Sequence, residues 1–451
     1  MLKQENTIIK PQLKSFDLTI IVVSLVIGMG IFRTPVEVAN KAVLPEIFFL
    51  AWITGAVVSL IGALTFAEIG SRHPAAGGFY KIFSVCYTPV FAFMVNWITV
   101  ISNAVSTAAV AIMGAEYMVP LLFPQMNPDV SIKIITISSL GLLYGINMLG
   151  IKISSRVLNV LIVLKLTLLL ILISAQFFVE PLADIAAPLP ARSDEFNWWH
   201  AFLLCFVPVF FTYGGYQQTM NFGSDVKEPR KTMPRSIGIG IAIVLIAYLC
   251  VNYSYFKVLG FEGLKQSTTL AADITGMMFG NMAHKLVSVM MFLSVMAYVN
   301  VSLISNPRIY YAMAEDKVMP AVFQRVNKKT QVQEWGVTLF CIIIFATLFF
   351  LTSFQRILEY VMFFDSISII TAAAAIFILR NRAKSSGVPE GIYKMKGYPY
   401  LPAFFILIYG GVNVSVFLAN PEAFLYGFLL FISGFPLFHL VRMGLKKSSA
   451  K

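Results

Sequence analysis

Charged residues are scarce in this chain, at 12% of 451 positions against 58% hydrophobic. A soluble globular chain carries roughly 25% charged residues, so this one cannot cover its own surface in water. Cysteine is scarce too. Cys86, Cys205, Cys250 and Cys341 all lie within or beside apolar stretches and none forms a CxxC pair, so they read as small core residues and suggest neither a disulfide framework nor a zinc site. His73, His200, His284 and His439 sit near the ends of apolar runs, without an HExxH or comparable acid–base cluster, which argues against a membrane-embedded enzyme. A channel would want a continuous polar lining or rings of charge, and neither is there. A cleavable signal pattern is also missing: the apolar run from Phe16 follows a polar lead of Lys3, Lys10 and Lys14 and is too long for an h-region, so it is expected to be retained.

What is present is a succession of long apolar runs. A spanning helix needs ~20 mostly apolar residues, and twelve stretches qualify: 16–39, 45–69, 83–118, 132–150, 154–178, 199–222, 236–258, 270–312, 336–353, 357–379, 401–419 and 423–441. The third and eighth are long enough to tilt or to carry an extramembrane turn. The expected fold class is therefore all-α integral membrane, a single bundle of 12 transmembrane helices. Most of the 34 Lys and Arg residues gather at one set of helix ends, including Lys227, Arg230, Lys231 and Arg235 in one loop and Arg325, Lys328 and Lys329 in another. By the positive-inside rule these ends face the cytoplasm. Both termini are then cytoplasmic, in a multi-pass protein of the cell membrane. The net charge of +12 is a topology signal and implies no nucleic acid.

Two spans carry glycine where a helix should be continuous. Span 1 reads Ile27-Gly28-Met29-Gly30-Ile31-Phe32, with Pro35 soon after; span 6 reads Phe211-Thr212-Tyr213-Gly214-Gly215-Tyr216. Glycine costs about 1 kcal/mol in a helix interior relative to alanine. In a membrane the backbone can leave the helix only where its freed groups face protein or a wet cavity. Either motif alone is as well explained by close helix packing. In spans 1 and 6 together, they point to an inverted repeat of five spans each, with a binding site at the midplane. Half-helix N-termini favour a carboxylate and loose carbonyls favour an ammonium, so a zwitterion suits this frame.

Lys165 stands inside span 5, nine residues beyond Arg156. At ~1.5 Å per residue that is roughly 14 Å into the bilayer, near the middle of a ~30 Å core. An ammonium there costs at least ~2.5–3.5 kcal/mol, so it must point into the bundle and find partners or lose its proton. One reading is structural glue through backbone carbonyls; the other is a cation standing where a coupling sodium would bind. Glu68, Glu116 and Glu359 lie near span ends and read as interfacial. Asp365 is deeper and could line a cavity, while Asn103 reads better as a bond to a neighbouring helix than as a substrate contact.

With these motifs in view, the chain resembles the amino acid–polyamine–organocation superfamily, and within it the L-type amino acid transporter branch and its prokaryotic relatives. The likeness spans nearly the whole chain. Besides the two breaks it rests on Glu68 through Tyr80, on Asn147 to Arg156 with Lys165 after it, on Glu228-Pro229-Arg230-Lys231, and on Tyr311 to Pro320. The resemblance implies a five-plus-five inverted repeat in the LeuT-like arrangement. It spans 16–380, as halves of about 16–178 and 199–380, between a cytoplasmic segment 1–15 and accessory helices in 401–441 with a tail 442–451. It implies alternating access for an amino acid, with or without a coupled proton. The substrate's carboxylate and amine would lie on Ile27, Gly28, Met29, Gly30 and Ile31 and on Thr212 and Gly214, with Phe211 as an aromatic gate. Lys165 matches the family's membrane lysine, so no sodium requirement is expected. Met29 stands where relatives usually have a small residue, and Tyr216 replaces a frequent tryptophan. Relatives with a glycosylated subunit carry a cysteine between spans 3 and 4; the loop Val119 to Ile132 has none, so no disulfide-linked heavy subunit is expected, and no cofactor. A non-transporting sensor of the same fold is the alternative reading.

Overall fold

The computed structural model describes residues 11–28, 30–180, 197–267, 269–350, 354–386, 391–419 and 421–449. Among them there is no strand, only the isolated bridges Leu13–Val226 and Ala76–Phe222. The helices are α1 (Ser15–Val26), α2 (Gly30–Ala42), α3 (Pro45–Arg72), α4 (Gly78–Cys86), α5 (Pro89–Leu122), α6 (Pro128–Met148), α7 (Ile151–Phe178), α8 (Trp198–Leu204) and α9 (Phe206–Tyr213). After a 3-10 turn at Tyr216–Asn221 come α10 (Pro229–Gln266), α11 (Leu270–Phe279), α12 (Asn281–Ser305), α13 (Pro307–Glu315), α14 (Glu334–Phe350), α15 (Phe354–Ser386), α16 (Tyr400–Ala419) and α17 (Pro421–Ser449). Ten helical stretches among the described residues are long and apolar enough to cross a membrane, and three shorter apolar helices accompany them.

The two overlong apolar runs resolve into pieces. Span 3 turns at Tyr87 and Thr88, where the Thr88 hydroxyl accepts the Phe91 N–H at 3.3 Å and Pro89 opens α5. Span 8 becomes α11, α12 and α13, divided at Gly280 (φ 73°) and at Asn306 before Pro307. Proline lacks the N–H that would continue a helix and fits the first helical position.

Unlike a soluble protein, the bundle presents apolar side chains outward as well as burying them. Leu142, Val160, Val163 and Leu170 project outward from α6 and α7, each more than 60% exposed, while Lys165, Asn96, Asn147, Asn252 and Asn300 are fully or nearly buried. Hydrocarbon accepts the first set and forbids the second unless it is bonded. Each of those buried amides donates a hydrogen bond: the Asn147 amide donates to Asn300 Oδ1 at 2.8 Å, and Ser154 Oγ donates to Asn147 Oδ1 at 2.8 Å, which ties α6, α7 and α12 together. Glu68 is not interfacial as its place in the sequence suggests. Its carboxylate is wholly buried and accepts from Arg72 at 2.7 Å, from Arg380 at 2.7 Å and from the Met395 N–H at 2.7 Å. Arg380 and Met395 lie more than 300 residues away, beyond the reach of any local pattern. Lys81 on α4 meets Asp316 at 2.6 Å and Glu315 at 2.8 Å, joining α4 to the end of α13, which the sequence shows only as separate motifs.

Candidate functional site

Both glycine motifs interrupt their helices. α1 stops at Val26, the Gly28 N–H folds back onto the Val26 carbonyl at 2.8 Å, and α2 starts afresh at Gly30. α9 stops at Tyr213, and the chain passes through Gly214 in an extended conformation and Gly215 at φ 109° before the 3-10 turn. A positive φ is natural only for glycine. The space leaves no alternative either: a β-carbon on Gly215 would collide with the Leu25 carbonyl oxygen at the end of α1.

The two interruptions touch. A β-carbon on Gly30 would lie 2.8 Å from Thr212 Oγ1 and 3.1 Å from Thr212 Cα, so α2 begins directly against the last turn of α9. Their exposed ends are of opposite character. The first N–H groups of α2 have no intrahelical partner and carry the positive end of its dipole; the last carbonyls of α9 carry the negative end. Between them lies a cavity of about 50 Å³, lined among others by Gly28, Gly30, Phe211, Thr212 and Gly214.

Other elements close the cavity with polar groups. Asn103 on α5 donates to Asn306 Oδ1 at 2.7 Å and accepts from Gln218 Nε2 at 3.2 Å, so it both bonds its neighbours and lines the cavity. Ser106 Oγ lies 3.5 Å from Tyr298 Oη, and Ser102 Oγ donates to Asp365 Oδ1 at 3.2 Å. Tyr298, Asp365 and Tyr409 also line the cavity.

Lys165 is fully buried on α7 and donates to the Ile27 carbonyl, the one freed by the break in span 1. It does not line the cavity. The neighbouring Val26 carbonyl accepts the Tyr248 hydroxyl at 3.1 Å. Thus every carbonyl from Val26 to Ile27 has a side-chain donor from another span.

Of the residues expected at the site from sequence, Gly28, Gly30, Phe211, Thr212 and Gly214 line one cavity. Ile27 and Ile31 are buried and do not line it; Ile27 takes part through its carbonyl. Met29 lies outside the described residues. Tyr298, Ser106 and Tyr409 went unmarked, because each sits in an apolar span with no local irregularity. Gln218 carried a weak signal, a polar residue directly after the Gly-Gly pair.

The amino acid permease family model matches residues 13–435. The serine/threonine exchanger SteT of Bacillus subtilis is 26% identical, with 96% of each chain covered. The human cystine/glutamate transporter is 24% identical over 93% of this chain and 83% of its own. The large neutral amino acids transporter small subunit 2 of Oryctolagus cuniculus is 24% identical over 93% of this chain and 78% of its own. The chain belongs to the amino acid permease family.

Proposed function

With that membership as the premise, we propose that the protein is a secondary active transporter moving a zwitterionic, neutral amino acid across the cell membrane by alternating access. The observation that carries this reading is the meeting of the two helix breaks, with Gly30 against Thr212 and opposite helix ends on one cavity. The positive end of α2 suits an α-carboxylate and the carbonyl end of α9 suits an α-ammonium. The printed substrates of the relatives, serine and threonine, large neutral amino acids, and cystine with glutamate, differ in side chain and share only those two groups. Met29 belongs to the same proposed site, between Gly28 and Gly30.

The reading extends to the architecture. The shorter apolar helices Glu334–Leu348 and Tyr400–Val414 complete twelve spans with the ten longer stretches. They form a five-plus-five inverted repeat over 16–380 followed by two accessory helices, with both termini cytoplasmic and no disulfide-linked heavy subunit. Lys165 holds the Ile27 carbonyl as a bound cation would, so transport needs no sodium, and proceeds by exchange or with a proton.

Purified protein in liposomes tests this with a panel of labelled amino acids, with and without internal amino acid, sodium and a pH gradient. Accumulation without sodium is expected. Binding without uptake would instead favour a sensor, and a strict sodium requirement would remove the role given to Lys165.

A further inference from the structure

The span carried by α15 ends abruptly. Its apolar run closes at Leu379, and Arg380-Asn381-Arg382-Ala383-Lys384 follows at once. A spanning helix changes character in this way where hydrocarbon gives way to headgroups. The chain returns to the same level before α16. There the Tyr398 ring lies 5.5 Å from that of Phe377 and 4.0 Å from the Arg380 guanidinium carbon. Tyr400, two residues on, is 80% exposed. Tyrosines gather at the membrane–water boundary because their rings are apolar at one end and polar at the other.

A groove of about 490 Å³ crosses this boundary, lined by Phe377, Ile378, Asn381, Arg382, Lys384 and Tyr398. Its order along the helix is that of a lipid. Phe377 and Ile378 lie on the hydrocarbon side, and the amide and the two cations begin one turn further on. Its charge has one sign, since among the described residues no carboxylate lines it. Glu68 is already engaged by Arg72, Arg380 and the Met395 N–H, which balances Arg380 inside the bundle. Arg382 is held to the wall of the groove by its Nη1, which donates to the Val85 carbonyl at 2.7 Å. Lys384 is exposed and, among the described residues, joins no ion pair.

We propose that this groove binds an anionic phospholipid of the adjoining leaflet. The phosphate meets Arg382, Lys384 and the Asn381 amide, and an acyl chain lies along Phe377 and Ile378. Guanidinium and ammonium groups are the side chains suited to a phosphate. A zwitterionic headgroup brings its own cation against the two already there, and a soluble phosphate leaves the apolar wall uncovered. Charge thus selects the headgroup, and the wall selects a lipid over a free anion. No residue lines both this groove and the cavity between the breaks, so the site stands whether or not the protein transports.

The purified, full-length protein in neutral detergent is titrated with phosphatidylglycerol, phosphatidylcholine and glycerol 3-phosphate. Thermal stabilisation and native mass spectrometry of bound lipid are the readouts. Two cations near the surface should give phosphatidylglycerol an advantage of about tenfold to thirtyfold over phosphatidylcholine, with glycerol 3-phosphate inert. Lys384→Gln, at an exposed position, should lose that advantage severalfold, and Arg382→Gln with Lys384→Gln should abolish it. Lys328→Gln with Lys329→Gln removes as much charge from another loop and should bind as the native protein does. Equal binding of the two lipids by the native protein overturns the proposal whether or not any variant folds. So does stabilisation by glycerol 3-phosphate, which would make this a site for soluble anions. An undiminished preference in Lys384→Gln overturns it too, as does an equal loss in the Lys328 and Lys329 variant, which would make the preference a matter of total charge.

Discussion

The break in span 1 is held from outside its own span, whereas the break in span 6 is held mostly by itself. At the first, the Ile27 carbonyl is taken by Lys165 from α7 and the Val26 carbonyl by Tyr248 from α10. At the second, the Gly214 N–H returns to the Phe211 carbonyl at 3.3 Å and the Gly215 N–H to Gln217 Oε1 at 3.0 Å, all within seven residues. A displacement of α7 or α10 therefore acts on the span 1 break through hydrogen bonds, while α10 reaches the span 6 break through packing, with the Tyr248 and Tyr213 ring centroids 5.2 Å apart. The first interruption is hydrogen-bonded to the rest of the bundle. The second is an abutment held chiefly by its own segment.

If this contrast holds, the heaviest damage comes from the abutment. Gly215→Ala combines a positive φ, at ~1–3 kcal/mol, with a collision against the backbone of Leu25, at another ~1–3 kcal/mol. A loss of roughly 4 kcal/mol is expected, seen as poor recovery from the membrane and a much lowered melting temperature. Near-native stability would mean that span 6 adapts as readily as span 1.

Next comes the outside support of span 1. Lys165→Ala leaves a cavity, at ~2–5 kcal/mol, and strips the Ile27 carbonyl of its donor, and transport should be abolished. Lys165→Met fills the volume without the charge; it should recover most of the stability and little of the transport. Wild-type uptake by Lys165→Met would show that the ammonium is packing material.

The contact between the breaks is tested by Gly30→Ala, whose new methyl group meets Thr212 within 2.8–3.1 Å. A cost of ~1–3 kcal/mol is expected, with transport reduced more than tenfold. Thr212→Ala in the same chain should return part of that loss, because it removes two of the three crowding atoms. Strict additivity in this double-mutant cycle would mean that the spans do not press on each other. By contrast, a β-carbon on Gly28 stands at an ordinary 3.7 Å from Tyr298. Gly28→Ala should therefore fold normally and weaken substrate binding alone.

The smallest effect sharpens the comparison most. Tyr248→Phe removes a hydroxyl from Val26, whose carbonyl keeps its bond from the Gly28 N–H at 2.8 Å. About 1 kcal/mol or less of stability should be lost. Yet uptake should fall further than that, since the lost bond couples α10 to the break.

The sequence was most legible where membrane physics leaves few choices. A buried lysine must find partners, and a glycine pair in mid-span must mark packing or a break; Lys165 and the two motifs were readable on those grounds, with little to say which carbonyl the lysine would choose. Glu68 was misread as interfacial because its burial is decided by Arg380 and Met395, which share no periodicity with it. Asp365 and Asn103 could be seen to lie deep, but a helix in a bundle has no solvent face to orient it. Which wall they face depends on neighbours hundreds of residues away.

Apolar run length and loop charge determined by themselves that this chain is an all-helical membrane bundle, because a bilayer demands satisfied backbones over a set thickness. The glycine pattern likewise determined where two helices would be weak. Only the tertiary structure decided that those weak points meet, since contact between residues nearly two hundred positions apart is a matter of helix packing and not of local pattern. It also decided that Lys165 serves the backbone of Ile27 while Asp365 faces the cavity. Both are charged residues in apolar spans. What separates them is which neighbour each helix presents.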